Sequence, residues 1–263
     1  MKGTNMNKKE NVEKIAYRNS LVAFIDFLGF KKLIETTKPD DIEEIRKHLK
    51  AARKVSDIEL PEYVFRADDC QGKMFSDSIA ISIPVGSGSL HALLLLICHI
   101  QGEMANRGIF LRGAVVVGKH FEDDKVSFGP ALNNAIELEK TLALWPRIVI
   151  HPDVIKLIDN PIVWLDQGEP IKEDIEDYMC CDTDGITYIN YLEIFCGEVN
   201  TWDDEKLFLR NHRKHITKEV KTNKNDLRIV AKYHWLANYH NAVVKKRHHS
   251  HLRLNMAKVF PTL

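Results

Sequence analysis

The pattern of apolar and polar positions divides the chain into elements. Ser20–Asp26 is an apolar run of strand composition, and it predicts a first strand. A helix is expected from about Gly29. A second is expected near Pro39, where Ile42, Ile45, Leu49, Ala52 and Val55 fall at helical spacing and Asp40 and Asp41 occupy the first turn. Glu62–Arg66 is strand-like, and Asp68-Asp69-Cys70-Gln71-Gly72 has turn composition. Lys73–Pro84 reads as one extended segment, with Phe75, Ile79, Ile81 and Ile83 in near-alternation. A buried helix is predicted from about Ser89 to Asn106, closed by Gly108. Ile109–Gly118 is strongly β, and Lys125–Phe128 reads as a short strand. Gly129-Pro130 opens a helix to about Leu144, and Arg147–Ile150 is a further strand.

Beyond this point the pattern is less regular. Tyr178–Cys181 and Ile186–Leu192 flank Asp182-Thr183-Asp184-Gly185, which suggests a hairpin and its turn. Residues 202–246 read as two long helices broken near Asn223–Asn225. Their packing faces are Leu207, Ile216 and Val220, then Ile229, Trp235, Leu236, Tyr239 and Val243. The order β-α-β-β-α-β, continued by β-α-β, predicts an α+β fold with a ferredoxin-like core of antiparallel strands and helices on one face. Residues 1–16 are expected to be a flexible leader, 17–200 the main domain and 201–263 a helical extension.

Composition narrows the classes of function. The chain is 44% hydrophobic, enough to build a core. Lys plus Arg equals Asp plus Glu at 37 each, so nothing suggests a general nucleic-acid or membrane binder. The five cysteines lack CxxC spacing, no secretory leader is visible and no apolar block is long enough to span a membrane. A cytoplasmic protein is expected.

Two strand-borne carboxylates carry the candidate chemistry. Asp26 ends the first strand beside Gly29, and Asp77 lies in Phe75-Ser76-Asp77-Ser78. Asp is depleted inside strands and costly to bury unpaired, so Asp26 is either a cap for the next helix or a ligand for a hard cation. Carboxylates at adjacent strand ends suit Mg²⁺ or Mn²⁺ when phosphate completes the coordination. The turn Phe27-Leu28-Gly29-Phe30 can present backbone N–H groups to phosphate, or be an ordinary strand-to-helix turn. Asn133 lies one turn into the helix after Gly129, where it can point towards a nucleotide or simply face solvent. Arg210, Arg213, Lys214 and Lys232 are cations on the C-terminal helices that could reach a triphosphate. His248-His249-Ser250-His251 reads as a solvated basic tail, and Asp182 and Asp184 as turn residues.

Four segments in order resemble the class III nucleotidyl cyclases over about residues 20–140. Phe24-Ile25-Asp26-Phe27-Leu28-Gly29-Phe30 resembles their first metal motif. Lys73-Met74-Phe75-Ser76-Asp77 is similar to the second, and Arg112–Gly118 to their central strand. Phe128-Gly129 with Leu132, Asn133 and Ala135 is similar to the helix that carries their catalytic Asn. Two features depart from the pattern: Glu137 stands where the family has its transition-state Arg, and Val126 where an acidic residue reads adenine. The short forms Leu111-Arg112-Gly113-Ala114 and Ala135-x-Glu137-Leu138-Glu139 look more like the bacterial pyrimidine cyclases of Pycsar anti-phage systems.

That resemblance implies a uridylate cyclase making cyclic UMP, or a cytidylate cyclase making cyclic CMP, whose product activates a separate effector. It implies a homodimer with Mn²⁺ or Mg²⁺, two per active site, held by Asp26, Asp77 and the Phe27 carbonyl. Asp26, Asp77 and Asn133 are then the catalytic set. Phe27, Leu28, Gly29, Phe30, Lys73 and Arg112 would bind the nucleotide. An adenylate or guanylate cyclase, disfavoured by Val126, and a catalytically inactive nucleotide- or partner-binding domain, encouraged by Glu137, are the alternatives.

Overall fold

The structure is a computed structural model that describes residues 16–30, 35, 71–75, 78–123, 125–160, 172–199 and 201–261. The helix expected near Pro39, the strand at Glu62–Arg66 and Asp77 itself lie outside the described residues.

Five strands carry the first half of the fold: β1 (Arg18–Phe27), β2 (Gln71–Phe75), β3 (Ser78–Pro84), β4 (Leu111–Glu122) and β5 (Ser127–Phe128). Three follow: β6 (Ile148–Ile150), β7 (Met179–Cys181) and β8 (Thr187–Ile189). They form one sheet in the order β2-β3-β1-β4-β6-β8-β7, with β5 hairpinned onto β4. Its first four strands, β2-β3-β1-β4, have the ferredoxin-like order. β1 is antiparallel to both β3 and β4, and β6 then adds parallel to β4. The α+β expectation holds.

Lys73–Pro84 is two strands, not one. β2 and β3 pair antiparallel from Phe75↔Ser78 to Gln71↔Ser82. The alternation of Ile79, Ile81 and Ile83 belongs to β3 alone, because opposite partners in the hairpin share a face and Phe75 pairs with Ser78, not with an isoleucine.

The long helices are α1 (Ser89–Asn106), α2 (Pro130–Thr141), α3 (Tyr191–Glu198), α4 (Trp202–Thr222) and α5 (Leu227–Lys246). They cover both faces of the sheet, not one. Leu21, Ala23, Ile25 and Phe27 of β1 join Ile79, Ile81 and Ile83 of β3 in a core completed by α1 and by Phe208, Ile216, Val230, Tyr233 and Leu236 of α4 and α5. The intervening residues Val22 and Phe24 turn to the other face, where Ala80, Val116 and Ala131, Leu132 and Ala135 of α2 pack. Strand periodicity sorts β1 between the two faces, and it sends Asp26 to the α2 side.

Thr201 caps α4 by accepting from the Asp204 N–H, and Asp226 caps α5 by accepting from the N–H groups of Arg228 and Ile229. Within α4 the expected Ile216 and Val220 are buried, but Leu207 is not part of that face. Leu207 is 55% exposed, and Phe208 and Leu209 are buried in its place. Of the expected solvated tail, His248, Ser250 and His251 are exposed, but His249 turns inward. His249 is fully buried, its ring 4.1 Å from that of Trp202, and Leu252, Leu254 and Phe260 follow it into the core. The apolar residues that come after the histidines anchor them, and Glu205 lies 3.4 Å from His249 Nε2.

Candidate active site

Asp26 stands next to last in β1, opposite Ser78 on one side and Arg112 on the other. The Arg112 Nε donates to Asp26 Oδ2 at 3.0 Å. Its Nη2 lies 2.7 Å from Oε1 of Glu139 on α2, an ion pair by distance without well-aligned hydrogen-bond geometry. Glu139 is buried, and burial pushes its carboxyl above the usual range against the pull of Arg112. Arg112 therefore bridges the sheet and α2, and both of its engaged nitrogens serve carboxylates.

Gly113 lets this arrangement close. A Cβ there would sit 2.4 Å from the Phe24 carbonyl oxygen and 3.1 Å from the Ile25 Cα. The residue must be glycine for β4 to approach β1 beside Asp26.

The corner after Asp26 turns at Gly29, whose φ of +80° favours glycine. The Leu28 N–H donates to the Phe110 carbonyl at 2.9 Å, so that amide is committed to the fold. Phe27, Leu28, Gly29 and Phe30 form one wall of a pocket of about 470 Å³. Lys218 of α4 and Lys232 of α5 stand on the opposite wall with Glu219. Lys232 is half-buried, and burial lowers its ammonium pKa, as does the nearby Arg112 charge; Asp26 and Glu139 oppose that fall. Of the four cations named on these helices, Lys232 alone lines this pocket. Lys218, unremarkable in a lysine-rich helix, joins it.

Lys73 does not point at open space. Its Nζ donates to the Asp123 carbonyl at 2.5 Å. That residue closes the β4–β5 turn, with its Oδ1 accepting from the N–H groups of Lys125 and Val126, and those bonds hold its carboxyl below the usual range. Asn133 is exposed, on the side of α2 away from its buried residues Ala131, Leu132 and Ala135. Asp26 and Arg112 are thus together and the Lys232 charge acts on them, while Lys73 is engaged with the Asp123 carbonyl and Asn133 faces solvent.

Two polar groups carry no signal in the sequence. His120 and Glu122 end β4 on the face that holds Arg112. Glu122 Oε2 accepts from Ser82 Oγ and lies 3.2 Å from His120 Nε2, which Ser127 Oγ also approaches at 3.2 Å. Farther on, buried Arg147 donates to Asp182 and Asp184, and its guanidinium carbon lies 5.8 Å from the ring centroids of Tyr188 and Trp235. The Trp235 Nε1–H donates to Asp182 at 2.6 Å. Asp182 and Asp184 are in the expected turn, with a second task there: neutralising a cation that is 1% exposed.

Among the described residues no group of three or more His, Cys, Asp or Glu is positioned to hold a metal ion, and no helix is long and apolar enough to cross a membrane.

No family model matches the chain, and no curated protein matches it. Two solved structures resemble it at 15% identity, each over 65% of this chain and 94% of its own. One is the catalytic core of a rhodopsin-guanylyl cyclase with converted specificity in complex with ATPalphaS, with a TM-score of 0.40. The other is the monomeric guanylyl cyclase domain of the RhoGC fusion protein from the aquatic fungus Blastocladiella emersonii, with a TM-score of 0.42. Likeness at this level carries no argument about residues or substrate.

Proposed function

We propose that the chain is a class III nucleotidyl cyclase that converts UTP to 3′,5′-cyclic UMP and diphosphate, a messenger in anti-phage defence acting on a separate effector in the cytoplasm. The observation that carries this reading is a strand-end carboxylate, Asp26, immediately before a corner pocket lined by Lys218 and Lys232, with Lys232 near enough to feel its charge. A carboxylate for a hard cation beside a cation-walled pocket for a phosphoanion is the pairing that phosphoryl transfer needs.

The donor chemistry at Asp26 fits Mn²⁺ or Mg²⁺, because a carboxylate at a strand end is a hard oxygen ligand. Asp26, the Phe27 carbonyl and Asp77 would hold two such ions, which when bound would acidify the ribose 3′-hydroxyl and neutralise the triphosphate. Arg112 aims the Asp26 carboxylate, and Glu139 keeps Arg112 in place. The Gly29 and Phe30 amides and the two lysines would receive the β- and γ-phosphates. Lys232 then supplies the positive charge that Glu137 does not. The 3′-oxygen attacks the α-phosphorus, its proton passes to solvent, the bond to the bridging oxygen breaks and diphosphate leaves.

Exposed Asn133 suits a role on nucleotide bound across a homodimer. The exposed apolar residues Tyr17, Val126 and Phe128 favour such an interface. Lys73, held on the β4–β5 turn, would orient that hairpin towards the base.

The test is incubation of the full chain with UTP, CTP, ATP or GTP and Mn²⁺, with separation of the products. Cyclic UMP from wild type and none from a folded Asp26→Asn variant is expected. Cyclic CMP as the main product would move the reading to a cytidylate cyclase. A second reading, a nucleotide-binding domain without turnover, is favoured by the Arg112 contact to Asp26, which competes with a metal for that carboxylate. Absence of cyclic product from all four nucleotides would select it.

A further inference from the structure

A chain whose charges balance at 37 against 37 concentrates one sign in a cavity far from Asp26 along the sequence. A pocket of about 860 Å³ lies between α4, the start of α5 and the C-terminal segment. Five cations line it: Arg213, Lys221, Lys224, Arg253 and Lys258. No Asp or Glu lines it, and among the described residues none of the five makes an ion pair within 4 Å. Its floor is apolar, with Val220, Val230, Leu254 and Phe260 all buried.

The wall is built, not draped. Asn241, buried on α5, donates to the Leu254 carbonyl at 3.1 Å and accepts from the Leu254 N–H at 2.7 Å. The buried His240 Nε2 meets the Leu252 carbonyl at 3.2 Å, and Phe260 packs edge-on against His234 with ring centroids 5.0 Å apart. These contacts hold Arg253 and Lys258 opposite Arg213 and Lys221. Five like charges around one concavity repel one another, and a cleft lined by one sign focuses its field on an incoming counter-ion. Arginine and lysine together suit phosphate oxygens, and the volume is that of a small-molecule site.

We infer that this cavity binds a small phosphorylated molecule with at least two negative charges and a flat apolar moiety, of the nucleoside diphosphate class. The phosphates would meet the cationic rim and the ring system the Phe260 floor. This site shares no lining residue with the corner pocket beside Asp26, so it does not depend on the proposed reaction. It gives the C-terminal helices a ligand of their own.

The test uses the full chain with EDTA present and ADP as the probe, followed by calorimetry. Wild type is expected to bind ADP. The Arg253→Gln/Lys258→Gln double variant, changed at two exposed positions, is expected to bind at least tenfold more weakly with an unchanged melting temperature. Arg213→Gln alone should weaken binding several-fold, and Lys156→Gln, at an exposed position that lines neither pocket, should leave it unaltered. Equal affinity in wild type and the double variant would overturn the assignment, as would no binding by wild type at millimolar ADP. A single-stranded 20-mer that binds far more tightly than ADP, and loses that affinity in the double variant, would overturn it in favour of nucleic acid.

Discussion

The Arg112 guanidinium joins Asp26 on β1 to Glu139 on α2, at 3.0 Å and 2.7 Å. Removing the guanidinium strands a buried carboxylate. Arg112→Met is expected to cost about 2–4 kcal/mol, less than the full penalty for a deeply buried pair because Arg112 is partly exposed. Much of that should return in Arg112→Met/Glu139→Gln, with a coupling of about 1–3 kcal/mol in a urea-denaturation cycle. Strictly additive single losses would show that the two groups do not depend on each other.

Gly113→Ala puts a methyl carbon against the Phe24 carbonyl, where backbone and not a movable side chain must yield. A loss of about 2 kcal/mol or more is expected in chemical denaturation. Cyclic nucleotide formation should fall further than stability alone dictates, because the same strand pair aims Asp26. A variant as stable as wild type would mean that β1 and β4 can part without cost.

Among the described residues Arg147 is the largest fully buried side chain, and two carboxylates and two rings surround it. Arg147→Met should cost about 3–5 kcal/mol, since Asp182 and Asp184 lose their counter-charge and Trp235 its ordered acceptor. The Arg147 bond holds the Asp184 carboxyl below the usual range, and the variant should bring it back up. Carboxyl NMR titration would read that return directly.

His212 and His240 stack with Nδ1 atoms 3.1 Å apart, both fully buried. The Leu252 carbonyl can only accept, so His240 Nε2 carries a proton and its Nδ1 accepts from His212; His212 Nε2 then accepts from the Tyr191 hydroxyl. Both rings are therefore neutral, and burial lowers their pKa values, that of His240 to about 4. Between the unfolded value of 6.5 and these lowered values, the unfolded chain takes up protons that the native chain refuses. Stability should be full well above pH 6.5 and decline as pH falls towards 4, with His240 alone contributing about 2 kcal/mol of the loss at pH 5 and His212 adding in the same direction. Urea midpoints measured from pH 7.5 to 5 would show the slope, and His212→Gln/His240→Gln should flatten it. An equally steep slope in that variant would place its source elsewhere.

Much of the frame was legible because period and caps are local. Ser89–Asn106, the break near Asn223 and the run Leu111–Gly118 all follow from spacing. The division of Lys73–Pro84 was not, since no Gly, Pro or Asn-Gly pair marks its turn. Leu207 was misplaced because it lies about half a turn around the helix from Ile216, whereas Leu209 falls in phase with it and is buried. The inward path of His249 depends on Trp202 and Glu205, more than forty residues earlier. At the site, Asp26 and the corner stood out in the sequence because a carboxylate and a glycine interrupt a β run. The ion pair of Arg112 with Glu139, the cluster around Glu122 and the approach of Lys218 are products of strand register and helix docking, which have no local mark.

β4 places Arg112 at one end and Glu122 at the other, ten residues apart and without a bulge across its pairing with β1. At about 3.4 Å per residue it is a ruler some 34 Å long. An even count sets both polar groups on the same side of the sheet. Inserting or deleting one residue between them would leave one on the α2 side and drive the other into hydrocarbon. The length of this strand is thus as much a part of the site as the side chains it carries.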